Sequence, residues 1–318
     1  MTFSAAPNRA PWPELDYASW AQTCTALHLQ TQVVGKYRLA HTPWVNHSWH
    51  ATLYVTARGL TTGMVPDGPA GGIEIVFDLH DHMLIGVSAE GLSERFALEP
   101  MSIARFYRRF VALLEALGAT SRFDRVPNEI ADPIAFDTDT AERPYDRDAV
   151  RRFHGALVRI DSVFRQFRTA FLGKVSPVHL FWGSFDLAVT RFSGRDAPLH
   201  PGGVPALPDA VTQEAYSHEV SSAGFWPGAG LGYPAFYCYA YPTPEGFGVA
   251  PIAPDAAFYD TALGEFILPY DAVRRARDPE AMLLEFLQTT YEAAADLAGW
   301  DRGALDCHQG KPRRPRSL

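Results

Sequence analysis

The stretch Phe171 to Arg195, FLGKVSPVHLFWGSFDLAVTRFSGR, decides the fold, because a weaker copy runs from Val33 to Gly59 as VVGKYRLAHTPWVNHSWHATLYVTARG. With one four-residue gap, Gly35-Lys36 meets Gly173-Lys174, Pro43 meets Pro177, and Leu53, Val55 and Thr56 meet Leu187, Val189 and Thr190. Upstream, Thr31 meets Thr169. Each copy follows a helical pattern, leads into short strand-like runs and ends in another amphipathic helix, which is the signature of an internal duplication. The expected fold class is therefore α+β, with two pseudo-twofold halves, each helix, antiparallel sheet, helix. The first half spans 12–126, a connector 127–146, and the second half 147–300. Residues 1–11 and the basic tail 301–318, with Lys311, Arg313, Arg314 and Arg316, are expected to be disordered.

Periodicity supports this division. Trp20, Cys24, Leu27, Thr31 and Val34 fall on one helix face, and Gly35 is expected to cap that helix. Val150, Phe153, Leu157, Ile160, Phe164, Phe167 and Phe171 step by three and four, a stripe of seven large apolar groups that must face the core. Alternation predicts strands over 48–57, within 72–87, over 93–98, over 184–190, over 236–241 and over 264–268. Ile103 to Leu117 reads as a helix stopped by Gly118, and Asp278-Pro279-Glu280 reads as a helix start. The connector holds six acidic residues, one basic residue and three prolines among apolar Ile130, Ile134 and Phe136, so it is expected to lie across the surface.

Composition narrows the function. A net charge of −8 gives no electrostatic reason to bind nucleic acid or acidic lipid. Three scattered cysteines make neither a disulfide framework nor a thiolate zinc site. No membrane span or signal sequence is visible, so a cytoplasmic location is expected. The Gly-Lys pairs lack a phosphate-loop context, there is no GxSxG, and no GxGxxG opens a βαβ unit.

Two polar groups stand out as candidate sites. Ser184, Asp186 and Arg191 follow His179 and Trp182, with His218 and Glu219 in the next polar run and Trp226 beyond it. A buried strand face carrying Ser184 and Asp186 needs partners, since an unpaired buried carboxylate is costly. Asp186, Glu219 and His218 are the candidates for proton transfer, and His50, His179, Trp182, Ser184, Arg191 and Trp226 for ligand binding. The second group, His47, His50, Asp78, His80 and His82, has imidazole and carboxylate groups suited to zinc or ferrous iron. It would make the protein a metal-dependent hydrolase or oxygenase. The bland alternative is a structural or partner-binding protein with an inert polar core.

The stretches ALHLQTQVVGK (26–36), VNHSWHATLYVTARGLTT (45–62), SPVHLFWGSFDLAVTRFSGR (176–195), SHEVSSAGFWPG (217–228) and YEAAADLAGWDR (291–302) resemble a bacterial family of uncharacterised proteins. That family is known as a domain of unknown function, and the likeness covers roughly residues 12–305. It implies a full-length member and carries no activity, cofactor or catalytic residue. The expectation from the residues themselves is a small-molecule-binding protein, possible enzyme included, with a polar and aromatic pocket where the halves meet.

Overall fold

The computed structural model describes residues 11–316. The expected disorder of residues 1–11 lies almost wholly outside them. The first unit opens with α1 (Tyr17–His41) and continues through β1 (Tyr54–Val55), β2 (Gly59–Val65), β3 (Ile73–Asp78), β4 (Met83–Ser88) and β5 (Ser93–Ala97) to α2 (Ile103–Ala116). The second runs α3 (Arg147–Arg168), β6 (His179–Phe181), β7 (Asp186–Asp196), α4 (Asp209–Ala215), β8 (His218–Trp226), β9 (Ala235–Tyr241), β10 (Phe258–Asp260) and β11 (Glu265–Pro269). It closes with α5 (Tyr270–Arg275), α6 (Pro279–Leu297) and α7 (Arg302–Leu305). This is a mixed α and β fold with two antiparallel sheets, one of five strands in sequence order and one of six ordered β10-β11-β9-β8-β7-β6.

The helices form where sequence demands. Asp278 accepts from the Ala281 N–H at the start of α6, and Asp146 caps α3 through the N–H groups of Asp148 and Ala149. The apolar stripe of α3 is buried from Val150 to Phe167. At about 1.5–3 kcal/mol for each fully buried side chain, that stripe anchors the core.

Three expectations change. Gly35 does not end α1; the helix runs through it to His41, and glycine stands there because the indole of Trp182 occupies the space a Cβ would fill, 2.4 Å away. Every residue from Leu29 to Arg38 is buried, so α1 is a central helix packed against α2, α3 and β2. The strand over 48–57 shrinks to two residues, since His47 and Ser48 adopt left-handed backbone (φ 59° and 58°) that breaks any alternation. The tail expected from 301 is ordered at its start: α7 follows Trp300, Asp306 bridges Phe171, and the Tyr291 hydroxyl donates to the Asp306 carboxylate at 2.6 Å.

The sheets meet edge to edge. Leu53, just before β1, exchanges both backbone hydrogen bonds with Leu180 of β6, at 2.9 and 2.8 Å. Leu187 lies one strand further in, opposite Leu180 on β7.

Candidate functional site

The six-stranded sheet has one apolar face and one polar face. Strand register puts Asp186, Ala188, Thr190 and Phe192 of β7 beside Gly224, Ser222 and Val220 of β8, then Tyr237 and Tyr239 of β9, then Glu265 of β11. The alternate residues Leu187, Val189, Phe225, Phe236 and Leu268 join the core. The polar face floors a cavity of about 620 Å³. Residues 124–129, where the first half passes into the connector, form one wall, the 204–208 loop and α4 cover it, and Trp44, His47 and Trp49 line the far end.

Asp186 is the centre of the polar end. Its carboxylate accepts from the Ser184 and Tyr237 hydroxyls, both at very short range. Tyr237 sits two strands away from Asp186 and reaches it across Gly224, whose missing Cβ would lie 2.2 Å from the phenol oxygen. Beyond it the Tyr216 and Tyr239 hydroxyls bond at 2.7 Å, and Thr190 bonds Ser222 at 2.8 Å. The Trp226 ring lies 4.3 Å from that of Tyr237.

Two further carboxyls share this end, Glu129 from the connector and Glu265 from β11. Burial and the neighbouring Asp186 push Glu129 up to about 7. Burial, Asp186 and Asp260 push Glu265 up to about 8. Asp186 is itself raised by burial, against the two hydroxyl donors that favour its charge. The Oε2 atom of Glu265 is buried and has no hydrogen-bond partner. No lysine or arginine pairs with any of the three among the described residues.

Helix α1 holds these parts in place from one face. His28, Gln32 and Gly35 step by four and three, so they line up along the helix. The ring Nε2–H of His28 donates to the Gly183 carbonyl at 2.8 Å. Gln32 takes both backbone groups of Asn128, accepting from its N–H at 2.8 Å and donating to its carbonyl at 2.9 Å. Gly35 receives Trp182, whose indole N–H donates to the Ala51 carbonyl at 2.6 Å. Gly183 in turn leaves room for the Glu129 carboxyl, 2.0 Å from where a Cβ would stand. Of seven non-glycine residues with positive φ among those described, His47, Ser48, Glu129 and Ala206 line the cavity and Phe185 sits beside Asp186. Such backbone costs on the order of 1–3 kcal/mol each and gathers at functional sites.

The far end is a latch. The Glu214 carboxylate of α4 accepts the His47 N–H at 2.9 and 3.1 Å, and His47 Nδ1–H donates to the Ala215 carbonyl at 2.8 Å. His47 Nε2 is then left as acceptor for Lys174, at 2.5 Å.

Of the residues singled out from sequence, Asp186, Ser184, Trp182, Trp226 and His47 line the cavity. Others do not. Glu219 binds Arg195 at 2.7 Å on the surface, and half-exposed His218 lies 3.5 Å from Asp196. Arg191 points to the helix side of β7, its guanidinium 3.5 Å from the Phe167 ring centre and 4.2 Å from that of Tyr291. His50 and His179 are buried beside the cavity near the Leu53–Leu180 junction. Burial drives His179 down to about 3, so it stays neutral. The proposed metal ligands are dispersed: Asp78 is engaged by Arg58 at 2.5 Å and by the N–H groups of His80 and Asp81. His82 Nδ1 bonds the Tyr145 hydroxyl, and His47 belongs to the latch. Among the described residues no three His, Cys, Asp or Glu side chains come together to hold a metal ion.

Sequence reading missed Glu129, Glu265, Tyr216, Tyr237 and Tyr239. The alternation of Tyr237, Tyr239 and Tyr241 was the available signal, since three phenols on one strand face ask for polar company.

A family model matches residues 12–307. The chain belongs to DUF5996, a family of unknown function. The matched DUF5996 region contains every residue that lines the cavity. No curated protein and no solved structure matches the chain significantly.

Proposed function

We propose that this protein binds a small amphipathic molecule in the cavity between the six-stranded sheet and α4. The observation that carries the reading is the division of the cavity. One end gathers Asp186, Glu129, Glu265 and six hydroxyl-bearing side chains, while tryptophans, Phe181, Phe192 and aliphatic groups line the rest. Ligand sites have this composition: a mostly apolar wall with a few convergent polar groups that fix orientation. A volume near 620 Å³ suits a molecule of cofactor or metabolite size. The reading is supported by the way α1 of one unit positions the turn and wall that complete the sheet of the other.

The test is displacement of the neutral fluorescent probe N-phenyl-1-naphthylamine. Saturable binding to the native protein is expected, with loss of binding in Ala188→Trp, which fills the cavity from its floor. Equal binding by a folded Ala188→Trp protein would refute the proposal.

A second reading, acid–base catalysis on the bound molecule, is favoured by Glu129. Its carboxyl titrates near neutrality on a left-handed backbone clamped through Gln32, and such a group can both give and take a proton. A bell-shaped or sigmoidal pH profile lost in Glu129→Gln, once a turnover assay exists, would separate it from binding alone.

A further inference from the structure

We propose that the molecule held in this cavity is an organic monocation, an ammonium carried on an aryl or alkyl body, with its charged head against Asp186, Glu129 and Glu265. This rests on the cavity being a ligand site and adds the chemical class of what fills it.

The argument is one of charge. Three carboxyls from three different elements, β7, the connector and β11, meet at one end of a half-open cavity. The groups facing them are the phenols of Tyr216, Tyr237 and Tyr239 and the hydroxyls of Ser184, Thr190 and Ser222, and Asp260 adds a fourth acid next to Glu265. None is a cation. One basic side chain, Lys36, lines the cavity on the side of the 124–129 segment, and its charge is already taken by Asp124 at 2.6 Å. Lys174 is taken up at the opposite end by His47. Buried charges are normally paired, so this end of the cavity must either hold protons or receive a positive charge from outside. The buried, unpartnered Oε2 of Glu265 marks where a donor is missing. Aromatic faces complete the case: Trp226 over Tyr237, and Tyr239 stacked 6.0 Å beyond, are the walls that attract an ammonium group.

Competition against N-phenyl-1-naphthylamine tests the idea with two matched pairs, phenethylamine against 2-phenylethanol and benzyltrimethylammonium against neopentylbenzene. The expected result at about pH 8 is that at least one cation outcompetes its neutral partner by about tenfold or more. Binding should weaken as pH falls toward about 5.5, because protons then occupy the carboxyls. Glu265→Gln and Asp186→Asn should each erase the preference for charge, read as the ratio of affinities within each matched pair. Neutral partners binding as well as the cations in both pairs, with the probe still bound, would overturn the cation assignment alone. A native protein that binds neither probe nor cation would overturn the cavity reading with it.

Discussion

A methyl group at Gly224 would collide with the Tyr237 hydroxyl on a strand that β7 and β9 hold from both sides. The ring would have to withdraw and Asp186 would lose a donor. We expect Gly224→Ala to destabilise the protein by about 1–3 kcal/mol in urea unfolding, and Tyr237→Phe to add little once it is made. Additive losses in the double variant would show that the two positions act separately. Arg191 gives the converse case. It is fully buried but faces α3 and α6, stacked on Phe167 and Tyr291. Arg191→Met should shift stability by no more than about 1.5 kcal/mol and leave probe affinity unchanged, since the β7 backbone separates it from the cavity. The sequence showed Arg191 and Asp186 five apart on one strand, and an odd separation puts them on opposite faces. That distinction was legible; which face held the cavity was not, because it depends on helices placed by distant segments.

At the scale of elements, α1 is the part whose role the linear pattern concealed. An amphipathic stripe was there to be read, yet from Leu29 to Arg38 the helix is buried on every side, as a helix packed between layers is. Gly35 looked like a terminus because glycine usually is one there; only the position of Trp182, nearly 150 residues away, explains it. Gly35→Ala should improve intrinsic helix propensity and still cost about 1–3 kcal/mol by overpacking against that indole. A rise in thermal stability would mean that Trp182 has room to move. Glu129 was hidden for a related reason. Its segment read as a surface connector, and two hydrogen bonds between Gln32 and the Asn128 backbone, one donated and one accepted by the side chain, turn it inward. Gln32→Met should leave the Asn128 backbone unpaired, and hydrogen exchange at the 128–130 amides should quicken while α6 remains protected.

For the whole molecule, two sets of buried groups pull stability in opposite directions with pH. His47, His50, His82, His154 and His179 are all lowered mainly by burial, so the unfolded chain takes up more protons below about pH 6.5, and stability falls as pH drops through that range. Glu129 and Glu265 are raised, to about 7 and about 8; here the folded state holds more protons, and stability falls as pH rises from the ordinary carboxylate range through those values. Unfolding free energy should therefore peak on the acid side of neutrality. Glu265→Gln should flatten the alkaline limb alone, and a variant curve parallel to the native one from about pH 5 to 8 would contradict this assignment.

The clasp between α4 and His47 has its own consequence. Three hydrogen bonds tie the roof of the chamber to a left-handed corner of the opposite unit. A guest would then wait for that corner to let go, so its observed arrival rate should level off at high guest concentration. Glu214→Gln would raise the plateau, turning a slow door into a faster one without altering the room behind it.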